Sequence, residues 1–314
     1  MIDDMYQPII IRNSILAEHI SVFESHLKKT TKPGTAETYS RSLRCFLSFV
    51  IQDRKFKFRV NDIERYASYL SQTKKFQESS IATYITALRK FCKFLVDCKI
   101  LQRNPAKQVH VSSTSNKSGV SFFHHFELTL LIDSIDSTTV HGLRDIAMIL
   151  TMLGCSCSEH ELSKATLENI IKIDGSFYLL IPKRKGQGLH RVVIPAPAAE
   201  ALQAYLNARN LSNNMPLFHS NSNRTKGAPI SVRGMREAFN RRLQASGISV
   251  ERMKSLTASS LRNTSGAILS ASGKNSDVIM KQLRISSQIT VQKYMNLAEE
   301  AKSAGLHHAI GYLE

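Results

Sequence analysis

The sequence predicts a mainly helical protein of two domains, with a small β-sheet confined to the second domain. The chain has 314 residues, 42% of them hydrophobic, which is enough for about two buried cores. Apolar residues recur at helical spacing through the first hundred positions and again through most of the second half. Only the segment 177–194 alternates apolar and polar side chains around a basic turn, which is the pattern of a β-hairpin.

A strong break separates the first two helices. Residues 15–27 place apolar side chains at helical spacing, and Lys32-Pro33-Gly34 then interrupts the pattern. We expect Thr35 to cap a second helix that extends to Val50 and has one polar, basic face.

Two further helices complete the first domain. Asn61 or Asp62 is expected to open one that runs through Leu70, and Ser79 or Ser80 to open the next. The fourth helix also combines an apolar stripe with a polar, basic face.

The domain boundary is predicted from composition. Asn104-Pro105 ends the helical pattern, and a polar stretch follows. The predicted organisation is a helical domain over 1–108, a linker over 109–120 and a second domain over 121–314.

The second domain is predicted to begin with two helices, over 127–134 and 143–153. Strands over 177–181 and 191–194 then flank a basic, glycine-containing turn. After Ala198 the sequence returns to helical patterns.

The charge indicates a polyanionic partner. The net charge is +17, from 42 basic and 25 acidic residues. Up to Lys107 there are 19 basic and 10 acidic residues, and the remainder has 23 and 15, so that both halves are basic. A basic protein with solvated charged faces is the plain alternative, and an anionic membrane surface is a weaker one.

Several function classes are disfavoured. No apolar run approaches the roughly 18 residues of a membrane span, and Asp3 and Asp4 argue against a secretory signal. The five cysteines form no CxxC pair, so we expect reduced thiols and no metal site.

Short motifs follow one another in an order and at a spacing that are hard to obtain by chance. The first domain has a T-x-x-x-Y-x-x-x-L-x-x-F helix, followed by a closing tripeptide: Thr35, Tyr39, Leu43, Phe46 and Asn104-Pro105-Ala106. The second domain has, in order, Leu143-Arg144-Asp145-Ile146-Ala147, Glu161-Leu162 before Leu167-Glu168-Asn169-Ile170, Lys185-Gly186 before Arg191-Val192-Val193-Ile194-Pro195, Leu261-Arg262-Asn263-Thr264, and Ile285-Ser286-Ser287 through Tyr294. The last two are similar to the patterns H-x-L-R-H-T and G-H-s-s-x-x-T-x-x-x-Y. Together the motifs resemble the tyrosine recombinases, the phage-integrase family.

The resemblance implies a fold and a partner. The first domain is expected to be a four-helix, SAM-like core-binding domain, and the second an α+β domain of the catalytic type. Together they are expected to close around double-stranded DNA as a C-shaped clamp.

The resemblance also implies a chemistry that needs no metal or other cofactor. In active members a tyrosine attacks the scissile phosphodiester and forms a 3′-phosphotyrosyl enzyme. Two arginines hold the non-bridging oxygens, where negative charge concentrates in the transition state. A hairpin lysine protonates the leaving 5′-oxygen, and two histidines assist proton transfer and positioning.

Half of the six catalytic positions are replaced. The retained ones are the nucleophile, the second arginine and the hairpin lysine: Tyr294, Arg262 and Lys185. The first arginine and the two histidines are replaced by Ser158, Ser259 and Ile285.

A shift of register does not restore the lost groups. Only His160 is basic between Arg144 and Lys164, and no histidine lies between His219 and His307. Losing one transition-state contact costs about 10²–10³ in rate, and losing an acid–base partner about 10²–10⁴, although such losses are not additive. We therefore expect efficient recombination to be absent.

Basic and hydroxyl side chains on the polar faces are the predicted DNA contacts. From the first domain they are Arg41, Arg44, Thr83, Thr86, Arg89, Lys90 and Lys93, and from the second Lys183, Arg184, Lys185, Arg191, Arg233, Arg241, Arg242 and Arg262. A structural ion pair is the alternative for Arg262, a solvated turn for 183–185, and a core-edge aromatic for Tyr294.

The leading hypothesis is a sequence-specific, non-cleaving protein that binds double-stranded DNA and recruits other machinery, for example by selecting the target site of a transposition system. The alternatives are a structural subunit of a hetero-oligomeric recombinase and a weakly active recombinase that uses Tyr294. We expect a bacterial cytoplasmic protein of the nucleoid, with transposition or recombination proteins as partners and none in a membrane. The segment 298–314 either mediates self-association on DNA or packs on its own domain.

Overall fold

The computed structural model describes residues 13–53, 55–109, 120–183, 188–209, 216–220 and 225–314. The chain divides into two compact units, residues 1–117 and 118–314. Apart from its two end residues, the predicted linker over 109–120 lies outside the described residues.

Within its described residues, the first unit contains four α-helices and a short 3₁₀ helix. The α-helices are α1 Asn13–Thr30, α2 Pro33–Gln52, α3 Val60–Gln72 and α4 Glu78–Asp97, and the 3₁₀ helix is Pro105–Lys107. The four predicted helices are therefore all present.

Three predicted helix starts are wrong by one to three residues. Helix α2 begins at Pro33, before Thr35, because proline presets the helical φ at the first position and needs no N–H partner there. Helix α3 begins at Val60, and Asp62, in its first turn, accepts the backbone N–H groups of Lys57 and Arg59 at 2.9 and 3.0 Å. Helix α4 begins at Glu78, before either serine.

Helix α4 organises the first core, since it packs against the other three helices. Phe46, Tyr66 and Phe91 are fully buried, and the rings of Phe46 and Tyr66 pack edge to face with 5.2 Å between centroids. The closing Asn104 donates from Nδ2 to the carbonyl of Arg89 at 2.8 Å, and this contact ties the end of the domain to α4.

In the part of the second unit that the structure describes, helices are combined with one small sheet. Its helices are α5 His125–Asp133, α6 Val140–Gly154, α7 Glu159–Leu162, α8 Ala196–Ala208, α9 Val232–Ala245, α10 Val250–Met253, α11 Ala258–Ala271, α12 Ser276–Leu283, α13 Gln288–Met295 and α14 Ala298–Ser303. Two 3₁₀ helices are also present, Leu167–Asn169 and Leu306–Tyr312.

The sheet has three antiparallel strands in the order β1 Ile170–Ile173, β2 Ser176–Pro182 and β3 Leu189–Val193. The predicted hairpin is confirmed, and Ile181 pairs with His190 across it. Strand β1 was not predicted, because its four residues are too few to show an alternating pattern.

Helices α6 and α11 form the centre of the second core. Both are buried along most of their length, and α11 packs against α6, α12, α13, α14 and the last 3₁₀ helix. Gly266 allows the close approach of α13, since a Cβ there would lie 2.6 Å from Cδ1 of Tyr294. Helix α11 therefore places Arg262 beside several other elements.

The C-terminal segment packs on its own domain. Gly305 adopts a left-handed φ of 75° between α14 and the last 3₁₀ helix. Leu306 and Ala309 of that helix are buried in the second core. Self-association through this segment stays a prediction. Among the described residues, no helix has the length and hydropathy to cross a membrane.

Candidate active site

Glu161 lies at the centre of a charged cluster. Its Oε2 atom accepts hydrogen bonds from the backbone N–H and the hydroxyl of Ser158, at 2.8 and 2.9 Å. Arg262 Nη1 and Arg284 Nη2 donate to the same oxygen, at 3.2 and 3.1 Å. Only 12% of the Glu161 side chain, 14% of Arg262 and 3% of Arg284 is exposed. We call these three charged side chains the Glu161 cluster.

The cluster keeps Glu161 ionised. Burial alone would raise the pKa of its carboxyl group, because the charged form loses hydration. The charges of Arg284 and Arg262 and the hydrogen bonds from Ser158 act the other way and prevail, so that the pKa lies below the ordinary value of a glutamate.

Arg262 is held by backbone carbonyls as well as by Glu161. Its Nη1 donates to the carbonyl of Ser156 at 2.7 Å, and its Nη2 donates to the carbonyl of Leu283. The ion pair given as its alternative role is therefore present, and its contact with a DNA phosphate stays a prediction.

Arg284 is a residue that the motifs did not single out. It directly follows α12 and has a left-handed φ of 52°. Its Nη1 donates to the carbonyls of Cys155 and Gln282 at 2.9 and 3.1 Å, and its Nη2 to that of Ser156 at 2.7 Å. One signal in the sequence could have identified it. In the pattern G-H-s-s-x-x-T-x-x-x-Y, Arg284 stands at the position of the glycine.

The three replaced positions serve structural roles. Ser158 caps α7 through its contacts with Glu161. The Ser259 hydroxyl lies 3.4 Å from both carboxylate oxygens of Glu159, and Glu159 Oε1 also accepts from Arg236 Nε at 2.9 Å. Ile285 packs against the small apolar cluster that contains Tyr294.

Tyr294 is 7% exposed and lies on α13. Its hydroxyl donates to Asn263 Oδ1 at 3.1 Å. Burial raises the pKa of the phenol, and the nearby charge of Arg262 offsets this only in part. At neutral pH the hydroxyl is therefore protonated.

A cavity of about 830 Å³ adjoins the cluster. Its lining includes Glu161 and Arg284 together with Lys183, His190 and Ser286. Burial, followed by the charges of Arg284 and Lys183, lowers the pKa of His190, so that its ring is neutral at neutral pH. Sequence reasoning missed His190 because only the strand register brings it to this cavity. Arg184 and Lys185 lie outside the described residues.

Most of the predicted DNA contacts of the first domain lie at the surface. The side chains of Arg41 and Arg44 are each 72% exposed and pair with Glu37 and Glu24 at 3.6 and 3.3 Å. Lys93 is exposed, and Lys90 Nζ lies 5.1 Å from the centroid of the Tyr39 ring. Thr83 and Thr86 are half-buried, and their hydroxyls donate to the carbonyls one turn earlier in α4.

Arg89 differs from these residues because its guanidinium is already bound within the domain. Its Nε donates to the carbonyl of Ala106 at 2.9 Å, and its Nη2 donates to that of Val109. This role was not predicted, and its DNA contact stays a prediction.

In the second domain Arg191, Arg233 and Arg241 are exposed. Arg233 pairs with Glu237 one helical turn away, at 2.7 Å. Arg242 is 24% exposed, and its Nε donates to the buried Asp145 at 2.8 Å. Its guanidinium thus has a structural partner that the sequence did not predict.

Comparison with known proteins identifies the family. The model described as "Phage integrase family" matches residues 121–301, and the one described as "Phage integrase, N-terminal SAM-like domain" matches residues 20–99. The chain belongs to the phage integrase family.

Similar proteins cover nearly the whole chain. "Tyrosine recombinase XerC" of Leptospira interrogans serovar copenhageni is 26% identical over 290 residues, which are 91% of this chain and 90% of the relative. "Tyrosine recombinase XerC" of Pediococcus pentosaceus is 24% identical over 298 residues, which are 90% and 94% of the two chains.

Two solved structures have the same fold. XerH site-specific recombinase, in a post-cleavage complex with palindromic difH substrate, has a TM-score of 0.71 and 15% identity and covers 96% of this chain and 86% of its own. The Tn1549 transposon integrase, in complex with transposon right end DNA, has a TM-score of 0.70 and 14% identity, with 92% and 99% covered.

Proposed function

We propose that this chain is a sequence-specific double-stranded DNA-binding protein, derived from a tyrosine recombinase, that no longer cuts DNA efficiently. It recognises one site and recruits other machinery there, for example to select the target of a transposition system. The observation that carries the proposal is that both halves of the chain are strongly basic while three catalytic positions hold Ser158, Ser259 and Ile285.

The surroundings of those three positions support the loss of cutting. Ser158 caps a helix and Ile285 packs in an apolar cluster, so neither supplies a charge or a transferable proton. Ser259 lies beside a carboxylate rather than providing a histidine. Burial also raises the pKa of the Tyr294 phenol, which disfavours the phenolate that would attack a phosphodiester.

The charge distribution supports DNA binding. Both domains carry a net positive charge, and exposed arginines and lysines lie on α2, α4, β3 and α9. Such residues neutralise phosphates, so that affinity falls steeply as salt rises. The two solved structures of the same fold, both complexes with DNA, are consistent with this partner.

Affinity selection of host genomic fragments tests the proposal. Purified protein is incubated with sheared DNA and washed at moderate salt, and the retained fragments are sequenced. One sharply enriched site is expected, and its genomic position distinguishes a target selector from a regulator. Uniform recovery would contradict autonomous recognition and would favour a structural subunit whose partner supplies the specificity.

A weakly active recombinase is the second candidate, and one observation favours it. Two arginines, Arg262 and Arg284, lie together in the domain that carries Tyr294. A suicide substrate built on the selected site, with a nick beside the scissile phosphate, would trap a covalent adduct if cutting survives. This candidate requires an adduct with the natural chain and none with Tyr294→Phe, and we expect none with either.

A further inference from the structure

The charges of the Glu161 cluster do not balance. Two guanidinium groups contact one carboxylate oxygen, so the cluster retains one net positive charge. Without Arg284, Glu161 and Arg262 would cancel one another, and a neutral group would adjoin the cavity. Arg284 therefore supplies the net positive charge of the Glu161 cluster.

Arg284 stands at a position that disfavours any residue with a side chain. A φ of 52° is left-handed, where a Cβ crowds the backbone, and glycine is the residue that adopts it without strain. An arginine is maintained there only if its side-chain contacts offset the strain. Its hydrogen bonds to Cys155, Ser156, Gln282 and Glu161 are such contacts.

Those contacts also place its charge next to the lost catalytic arginine position. Ser158 Oγ and Arg284 Nη2 contact the same atom, Glu161 Oε2, at 2.9 and 3.1 Å. Arg284 thus comes from a different segment of the chain but brings its guanidinium to the immediate surroundings of position 158.

We propose that Arg284 replaces in space the cation missing at position 158. Its Nη groups neutralise Glu161 and fix the 155–158 turn. The net positive charge that remains then binds a phosphodiester of DNA in the adjoining cavity. This inference rests on the proposed function only for the source of the phosphate.

Two further observations point to an anion in the cavity. Its lining sets the cations Lys183, Lys281 and Arg284 against the carboxylates Glu161 and Asp277, and Ser286 and Ser287 add hydrogen-bonding groups, so that positive charge exceeds negative. In addition, Nε of Arg284 is buried, and within the described structure it has no hydrogen-bond partner. A buried guanidinium N–H of this kind normally has an acceptor, and a phosphate oxygen is a suitable one.

The charge argument can be tested by moving and removing charges. Arg284→Gly makes the Glu161 cluster neutral, and glycine suits the left-handed φ. The first double variant combines Arg284→Gly with Ser158→Arg, which places a cation at the position where the family has its first arginine. The second combines Arg284→Gly with Glu161→Gln, which removes the negative charge that balances Arg262. Each double variant therefore restores the net charge of +1. Lys302→Gln, which removes one charge from an exposed pair with Glu299, is the matched control.

The first measurement is titration with inorganic phosphate, followed by the arginine Nε–Hε resonances in NMR spectra. In the natural protein we expect a saturable shift of the resonance that disappears in Arg284→Gly. Both double variants should recover a saturable shift of an arginine Nε–Hε resonance, and Lys302→Gln should behave like the natural protein. A titration without any shift would overturn the inference.

The second measurement is the salt dependence of binding to a short duplex of arbitrary sequence. Log K falls as log salt rises, and loss of one phosphate contact decreases the magnitude of that negative slope by about 0.9. We expect this decrease in Arg284→Gly and its reversal in both double variants, with melting temperatures recorded alongside. An unchanged slope in folded Arg284→Gly, or failure of both double variants to restore it, would overturn the inference.

The two measurements separate this inference from the proposed function. If inorganic phosphate binds as expected but neither the short duplex nor any genomic fragment does, the proposed function fails and the role of Arg284 stands. If duplex binds with equal slopes and phosphate shifts nothing, the role of Arg284 fails and the proposed function is untouched. If Arg284→Gly alone fails to fold, the two double variants, which keep the net charge, are compared with the natural protein. The quantities compared are the phosphate-induced shift and the salt slope, and both should match.

Discussion

Two clusters in the second domain have the same composition, two arginines and one acidic residue, but share the acid differently. In the first, Arg144 Nη2 and Nε contact Asp145 Oδ1 at 2.6 and 2.9 Å, and Arg242 Nε contacts Oδ2 at 2.8 Å. In the Glu161 cluster both arginines and Ser158 share the single oxygen Oε2. Each oxygen of Asp145 thus has its own arginine, whereas one oxygen of Glu161 is crowded with donors.

The two clusters also differ in what surrounds them. Only 2% of the Asp145 side chain and 4% of Arg144 are exposed, in the interior of the domain. Glu161 and Arg284 instead line a cavity that Lys183 and His190 also reach. The Asp145 cluster therefore stabilises the fold, and the same chemical groups beside a cavity form a place for an external anion.

The largest effect that this comparison predicts is that of Asp145→Asn. The substitution leaves the guanidinium of Arg144 buried without a charged partner, and removing one member of a buried pair costs about 3–5 kcal/mol. Urea unfolding followed by circular dichroism measures the loss. A loss below about 1 kcal/mol, as for an exposed pair, would contradict the assignment of this cluster to stability.

The sequence predicted the helices well, because their apolar spacing is local. It could not predict that α2 begins at Pro33, since both Pro33 and Thr35 are good start signals and the choice depends on the preceding turn. It also missed strand β1, whose pairing with β2 is a contact between separate segments.

The candidate site was predicted only in part, for a related reason. Motif spacing located Arg262 and Tyr294, and the helices around α11 bring both to one region. Arg284 and His190 join that region through a left-handed residue and a strand register, which leave no periodic signal in the sequence. Arg89 was assigned to an outward face, but its carbonyl partners lie 17 and 20 residues away along the chain.

Glu161→Gln should have a smaller effect on stability than Asp145→Asn, with a distinctive pH dependence. Hydrogen bonds to a charged group contribute about 1.5–3 kcal/mol. Because the folded-state pKa of Glu161 is lowered, its contribution is fully present above the unfolded pKa, about 4.3, and is lost as pH falls through the folded value.

Urea unfolding of Glu161→Gln and the natural protein across this range measures that dependence. The difference in unfolding free energy should be constant near neutral pH and shrink as the solution becomes acidic. A difference that does not change with pH would mean that the carboxylate is not stabilised by its arginines.

Tyr294→Phe should have a still smaller effect, since it removes one hydrogen bond and retains the ring. The bond to Asn263 Oδ1 at 3.1 Å is expected to contribute about 0.5–1.5 kcal/mol to stability. Affinity for the selected DNA site should be unchanged, because the proposed function does not use the hydroxyl. Thermal unfolding and a binding titration measure the two quantities. A clear loss of affinity in a fully folded variant would mean that the Tyr294 hydroxyl contacts DNA.

The smallest effect on stability should come from Glu237→Gln. This substitution removes an exposed ion pair, with which the two buried clusters can be compared. Arg233 and Glu237 lie one helical turn apart at 2.7 Å, with 89% and 53% of their side chains exposed. Water screens such a pair, so its contribution to stability is small. Because the carboxylate also partly cancels Arg233, the variant should bind DNA slightly more tightly at low salt if Arg233 lies near a phosphate. Equal affinity of the variant and the natural protein at every salt concentration would place Arg233 outside the DNA-binding surface, and the basic surface of α9 would then depend on Arg241.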